Sequence, residues 1–151
     1  MRNQNNIPRV STLPIRADYH LFKSGVRPEW EDPQNKDGGK WSFMFRERQH
    51  PSDIDGLWLD VLLGAIGETL EPDGANEILG VVANVRKSFI RVGCWTRSAG
   101  RDGASKEKLI EIGRNLKKVL MLREIESMEF TGHAESACSG SYHRTKTSFF
   151  I

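Results

Sequence analysis

Apolar positions along the chain follow two different periods, and the changes from one to the other mark its elements. From 41 to 48, Trp41, Phe43 and Phe45 fall on one side and Ser42, Met44 and Arg46 on the other. This period of two predicts a half-buried strand in an antiparallel sheet. Pro51-Ser52-Asp53 then opens a helix, with Ser52 or Asp53 as its cap. Leu59, Leu62, Leu63 and Ile66 form its stripe over 55–68. Trp58 beside Leu59 widens that stripe, so the helix is either deeply buried or offers a second apolar face to a partner. The β-branched run 78–85 predicts a largely buried strand, and 89–95 the next one, with Arg86-Lys87-Ser88 as a tight turn. Any even-length loop there places Arg86 and Arg91 on one face, and period two adds Trp95. Ser105 is the expected cap of a helix reaching Leu120, with Leu109, Ile112, Leu116 and Val119 inward and lysines outside. Residues 19–22 read as a short strand or a turn, and 124–130 and 148–151 as strands. Two or three helices among antiparallel strands, without a strand–helix–strand repeat, predict an α+β fold.

The remaining stretches are loops. Residues 1–17 are polar and Asn-rich, interrupted by Pro8 and Pro14, and are expected to be disordered or irregular. Residues 131–146 form a Ser/Gly/His-rich loop. With 151 residues, 38% hydrophobic and 28% charged, the chain reads as one globular domain over 18–151. A net charge of +2 is too small for binding driven by overall electrostatics, so any nucleic-acid recognition is local. Cys94 and Cys138 lack metal or redox spacing, as in a reduced compartment. No apolar run approaches a membrane span, and no signal peptide is visible. The expected location is cytoplasmic, with a nuclear pool allowed. His20, His50, His133 and His143 are scattered, with no nucleophile or metal-ligand spacing, so neither an enzyme nor a cofactor or metal site is expected.

The chemistry concentrates in the run 20–41, HLFKSGVRPEWEDPQNKDGGKW. Pro28 and Pro33 hold Trp30-Glu31-Asp32 in a rigid, non-helical loop, and Asp37-Gly38-Gly39 is a turn signal. An indole face suits a soft cation, and a carboxylate accepts two parallel N–H bonds from a planar ligand. A 7-methylguanine, charged in its ring and carrying two N–H groups on its edge, needs both. The alternative for Trp30 is a corner anchor.

This stretch resembles the eukaryotic translation initiation factor 4E family. The matching residues are His20-Leu21-Phe22-Lys23, Pro28-Glu29-Trp30-Glu31-Asp32, Asn35-Lys36 and Gly38-Gly39-Lys40-Trp41. DIDGLWLDVLLGAIG at 53–67 and GVVANVRKSFIRVGCWT at 80–96 extend the match. Weaker matches run through Ile112-Gly113-Arg114, Gly132-His133-Ala134 and Ser139-Gly140-Ser141. The resemblance implies a curved antiparallel sheet with two to three helices on its convex face, and binding of the mRNA 5′ cap. It assigns Trp30 to stack on the methylated base, Glu31 to read its edge, and Trp95 to lie near the methyl group or in the core. Arg86, Arg91 and Lys40 match phosphate-holding positions, against a solvated hairpin edge for the two arginines. Leu59, Asp60 and Leu63 match the surface that docks the factor 4G scaffold and 4E-binding repressors, against core packing. Trp41 and Trp58 are core or partner-facing. Ser141 lies near the family's regulatory phosphoserine. Cys138 stands where a phosphate-side lysine is usual, which weakens that grip, while His143, Arg144 and Lys146 share the loop.

The resemblance starts late. Two strands and a helix that precede Asp18 in the family, with a second stacking Trp, have no counterpart here, since 1–18 holds no Trp. The expectation is therefore a shortened form whose sheet exposes an edge. Such a chain either still holds the cap or acts as an interaction module on scaffold and repressor proteins.

Overall fold

A computed structural model of the chain describes residues 7–46, 53–133 and 148–151. The elements are β1 (Asp18–Phe22), β2 (Gly39–Arg46), α1 (Ile54–Ile66), β3 (Ile78–Val85), β4 (Phe89–Thr96), α2 (Gly103–Val119), β5 (Glu129–Gly132) and β6 (Ser148–Phe150). The described strands form one antiparallel sheet in the order β1-β3-β4-β2-β5-β6. This is the α+β arrangement expected, with two α-helices in the described residues.

Alternation decides what each face carries. Trp41, Phe45, Val81, Ala83, Val92, Cys94 and Phe130 turn to the helices and are buried. Burial in this apolar layer pushes the Cys94 thiol far above its usual pKa, so it stays a packing group. The opposite face carries Lys40, Ser42, Met44, Arg91, Trp95, Glu129 and Thr131, placed opposite one another by the strand register.

Trp41 ties the two layers. Its indole is wholly buried and donates Nε1–H to the Leu109 carbonyl of α2 at 2.7 Å. Phe130 and Phe149 meet it edge-on, at 5.3 Å each between centroids. A Cβ on Gly113 would stand 2.6 Å from Trp41 Cε2, so the helix can sit this close only because Gly113 has no side chain. Trp58, also buried, meets Tyr19 edge-on at 5.5 Å. Both indoles are core.

Local signals account for the ends. The Asp53 side chain caps α1 by accepting from Gly56 N–H at 2.9 Å. On α2 the cap is Asp102, not Ser105. Asp102 accepts from the Ser105 backbone N–H at 2.9 Å and from its hydroxyl at 2.6 Å. A carboxylate three residues upstream outcompetes the hydroxyl as acceptor and suits the positive end of the helix dipole. Lys117 and Lys118 suit the other end. Within 7–17, a 3-10 turn at Val10–Thr12 carries Val10 into the core. Asp55 of α1 accepts from both the backbone and the hydroxyl of Ser11.

Gly113→Ala tests the layer spacing. Alanine is the better helix former by about 1 kcal/mol, yet the clash with Trp41 is expected to lower stability by about 1–3 kcal/mol in urea unfolding. A stabilised variant would show that the spacing is not set here.

Candidate functional site

Trp95 sits on the helix-free face, opposite Lys40 on one side and Gly80 on the other. A Cβ at Gly80 would collide with the Phe22 ring, so Phe22 lies across the backbone there. It meets Trp95 edge-on at 5.4 Å between centroids. From the position just after β5, the His133 ring approaches to 4.2 Å at a tilt of 45°. The half-buried indole is thus held from two sides. Phe22 and His133 lay inside the matched motifs, but only the strand register shows that they brace Trp95.

The cations of this face divide by partner. Arg86 Nη1 pairs with Asp18 at 2.8 Å and also donates to the carbonyls of Val85 and Ala17. Its backbone N–H bonds Phe89 O, which leaves a two-residue loop and keeps Arg86 in the same parity as Arg91. Partial burial opposes the charge of Asp18, but hydrogen bonds from Arg86 and Asn84 outweigh it and hold its pKa low. Arg91 instead lies over the Phe89 ring at 5.3 Å. Among the described residues, neither Arg91 nor Lys40 has an acidic partner within 4.0 Å. Burial depresses the Lys40 pKa, Arg91 depresses it further, and Glu129 opposes both. His133 is pushed from 6.5 down to about 4 by burial and then by the Lys40 charge, so it is neutral at pH 7.

The loop between β1 and β2 reaches the same end of the sheet. Its organising group is Asp32, one of the few buried carboxylates. Asp32 accepts from the backbone N–H of Gln34 at 2.9 Å and of Arg27 at 3.1 Å, which hold its pKa below the usual value. Asn35 donates to the carbonyls of Arg27 and Glu29 at 2.7 Å. With that backbone fixed, Trp30 is 46% exposed and Glu31 exposed. Among the described residues, no hydrogen bond, ion pair or ring contact engages either side chain. The two adjacent carboxylates have opposite fates, Asp32 within the loop and Glu31 in solvent. An Asp accepting from the N–H two residues on is an Asx turn, a signal readable in Asp32-Pro33-Gln34.

Gly38 and Gly39 are not the tips of a hairpin. Gly39 begins β2 and Gly38 immediately precedes it; a Cβ on Gly38 would collide with Thr96 O, while one on Gly39 would stand 2.5 Å from Phe130. Close approach, rather than a turn, requires glycine at both. On the helix-bearing side, Leu59 is half-buried and Asp60 exposed. Leu63 and Ile66 are 55% and 67% exposed. Cys138, Ser141, His143, Arg144 and Lys146 lie outside the described residues.

The described residues thus form an open antiparallel sheet with helices on one face, while the other carries the Trp95 indole with Lys40 and Arg91, neither of which has an acidic partner among the described residues. The chain matches the model of the family described as "Eukaryotic initiation factor 4E" over residues 1–148, and it belongs to that family. It is 49% identical over 143 residues to eukaryotic translation initiation factor 4E-1 of Schizosaccharomyces pombe, covering 95% of this chain and 62% of that protein. Eukaryotic translation initiation factor 4E of Candida albicans is 46% identical over 138 residues, 91% of this chain and 63% of the relative. The chain thus spans less than two thirds of the length of these curated relatives. Among solved structures, Ascaris suum eIF4E-3 with m7G cap superposes with a TM-score of 0.80 at 30% identity, over 97% of this chain and 75% of that one. Caenorhabditis elegans eIF4E-3 with the 4E-binding protein Mextli and cap analog gives 0.78 at 32% identity, over 91% and 75%.

The low folded pKa of His133 gives a pH test. Its stabilising contribution is complete above the unfolded value of 6.5 and falls as pH drops toward about 4, because the unfolded chain takes the proton first. The stability of the wild type relative to His133→Phe is therefore expected to decline from pH 7 to pH 4 in thermal melts. A constant difference would show that His133 is not held neutral.

Proposed function

We propose that this chain binds the 7-methylguanosine cap at the 5′ end of mRNA and serves translation initiation in the cytoplasm. The observation that carries this reading is the exposed Glu31 carboxylate beside Trp30, on a loop fixed by Asp32 and Asn35. Trp30 stacks on the methylated ring, whose positive charge favours an indole face. Glu31 accepts the two N–H groups of the base edge in parallel. Trp95, held by Phe22 and His133, lies against the methyl side. Lys40 and Arg91 hold phosphates without giving up an ion pair, whereas Arg86 must share its guanidinium with Asp18. The relatives solved with cap and cap analog support this reading.

Fluorescence titration with 7-methyl-GTP against GTP tests it. Trp30→Ala is expected to weaken binding at least about tenfold, since one base–aromatic stack contributes about 1–3 kcal/mol. Glu31→Ala should remove most of the preference over GTP. Arg91→Ala should cost more than Arg86→Ala, because only Arg86 gives up a protein partner. Equal affinity for GTP and 7-methyl-GTP would overturn the assignment.

The exposed ridge of α1 favours a second reading that coexists with the first. Leu59, Asp60 and Leu63, with Ile66 beside them, dock a helix of the type Tyr-x-x-x-x-Leu-apolar from factor 4G or a 4E-binding repressor. Leu59 and Leu63 are one turn apart and form the ridge such a helix packs on. The related complexes with Mextli and with 4E-BP support it. Leu63→Asp should abolish capture of a peptide carrying that motif while leaving the affinity for 7-methyl-GTP within a factor of two. Undiminished capture would move the partner surface elsewhere.

A further inference from the structure

We propose that Ser11 is a phosphorylation site whose modification releases a strap, residues 7–13, from the end of the α1 ridge that docks partner helices. The inference rests on the partner-binding reading of that ridge and adds its regulation.

One carboxylate holds the strap. Asp55, in the first turn of α1, accepts from the Ser11 backbone N–H at 2.9 Å and from its hydroxyl at 2.5 Å. Partial burial opposes the charge of Asp55, but the two bonds from Ser11 and the nearby Arg9 outweigh it and hold its pKa below the usual value. Beside this clasp Val10 is buried in the core, whereas Ser11 itself is exposed. Asp55, Leu59 and Leu63 recur every four residues and so share one stripe of α1. The clasp therefore sits in line with the ridge, one turn before Leu59. Ile7, Pro8 and Arg9 of the strap face Asp55, Trp58 and Leu59 across a cavity of about 480 Å3. The strap thus supplies one wall at the end of the docking surface.

A phosphate reverses the chemistry of the clasp. A protein kinase carries the step. Ser11 Oγ attacks the γ-phosphorus of a nucleoside triphosphate, the bond to the β-phosphate oxygen breaks, the nucleoside diphosphate leaves, and the hydroxyl proton passes to the kinase's base. Arg9, two residues earlier, has no acidic partner within 4.0 Å among the described residues and gives the site a basic mark for such an enzyme to read. Modified Ser11 has lost its O–H donor and carries a charge of about −1.5 to −2. It then meets Asp55 and, at the same cavity, Asp53. The N-terminus of α1 is no refuge, because the Asp53 carboxylate already accepts from the Gly56 N–H there. Arg9 travels with the strap, so the phosphate pairs with Arg9 and Asp55 is left without the serine. Ser105 also donates to a carboxylate, Asp102, but within a single helix cap, where release frees no segment.

Incubation of the chain with ATP in a yeast extract, followed by phosphopeptide mass spectrometry, is expected to place phosphate on Ser11. Phosphate on Thr12 alone, or none between 7 and 13, would overturn the site. The consequence is read on the full chain with phosphoserine incorporated at Ser11 by codon suppression. Its capture of the Tyr-x-x-x-x-Leu-apolar peptide should weaken about tenfold, the effect of losing one hydrogen bond to a charged group. Affinity for 7-methyl-GTP should stay within a factor of two. Asp55→Asn in the phosphorylated chain should restore capture, because the amide removes the repulsion and can donate to the phosphate. Undiminished capture, or a loss that Asp55→Asn leaves in place, would overturn the switch. If the unmodified chain captures no peptide, the partner-binding reading fails by itself, and amide hydrogen exchange decides the clasp. Faster exchange at the Ser11 N–H on phosphorylation, reversed by Asp55→Asn, would uphold the release of the strap, and unchanged exchange would dismiss it as well.

Discussion

The contact between Trp41 and α2 sets the distance on which the other contacts depend. A fully buried indole bonded to the Leu109 carbonyl, with Gly113 leaving room for its ring, fixes how close the helix stands to the sheet. Alternation then does the rest. Since Trp41 points inward, its neighbours Lys40 and Ser42 must point out, and the register carries that choice across β4 and β5 to Trp95, Arg91, Glu129 and Thr131. A slip of one residue would bury the lysine and expose the indole. The apolar layer therefore specifies the position of the polar one.

On the outer face the arrangement is asymmetric for physical reasons. Phe22 of β1 and His133, just after β5, hold Trp95, and burial there, with Lys40 nearby, keeps His133 uncharged. The positive charge at this end of the sheet thus resides on Lys40 and Arg91, with Arg46 farther along. Arg86 is largely neutralised by Asp18, which makes it the more structural of the two hairpin arginines. The Trp30 loop reaches rigidity by another route. It has no strand pairing, so a buried carboxylate and a buried amide join its turn hydrogen bonds in satisfying the backbone, and the neighbouring indole and carboxylate engage no partner among the described residues. The two sides of α1 differ: Leu63 and Ile66 face solvent, while Leu57, Trp58, Val61 and Leu62 join the core.

The sequence alone determined most of the elements: the alternation through Trp41, Phe43 and Phe45 and the hairpin at Arg86 are local patterns, and local patterns survive without knowledge of the fold. It misplaced the strand expected over 124–130, which runs Glu129–Gly132, and the stripe of α1, whose buried side is Leu57, Trp58, Val61 and Leu62 while Leu63 and Ile66 are exposed. The family was equally legible, because Trp30-Glu31-Asp32 and the run from Val81 to Thr96 are motifs contiguous in the chain. Tertiary structure alone decided what long-range contacts control. It placed His133 and Phe22 against Trp95, gave Arg86 to Asp18 while leaving Arg91 without an acidic partner among the described residues, and turned Asp32 inward beside an outward Glu31. It also replaced Ser105 by Asp102 as helix cap, and explained Gly38 and Gly39 by close approach to Thr96 and Phe130. Periodicity reports which way a side chain leaves its own strand. Whether it meets a partner there depends on residues tens of positions away, brought near only by the register of the sheet.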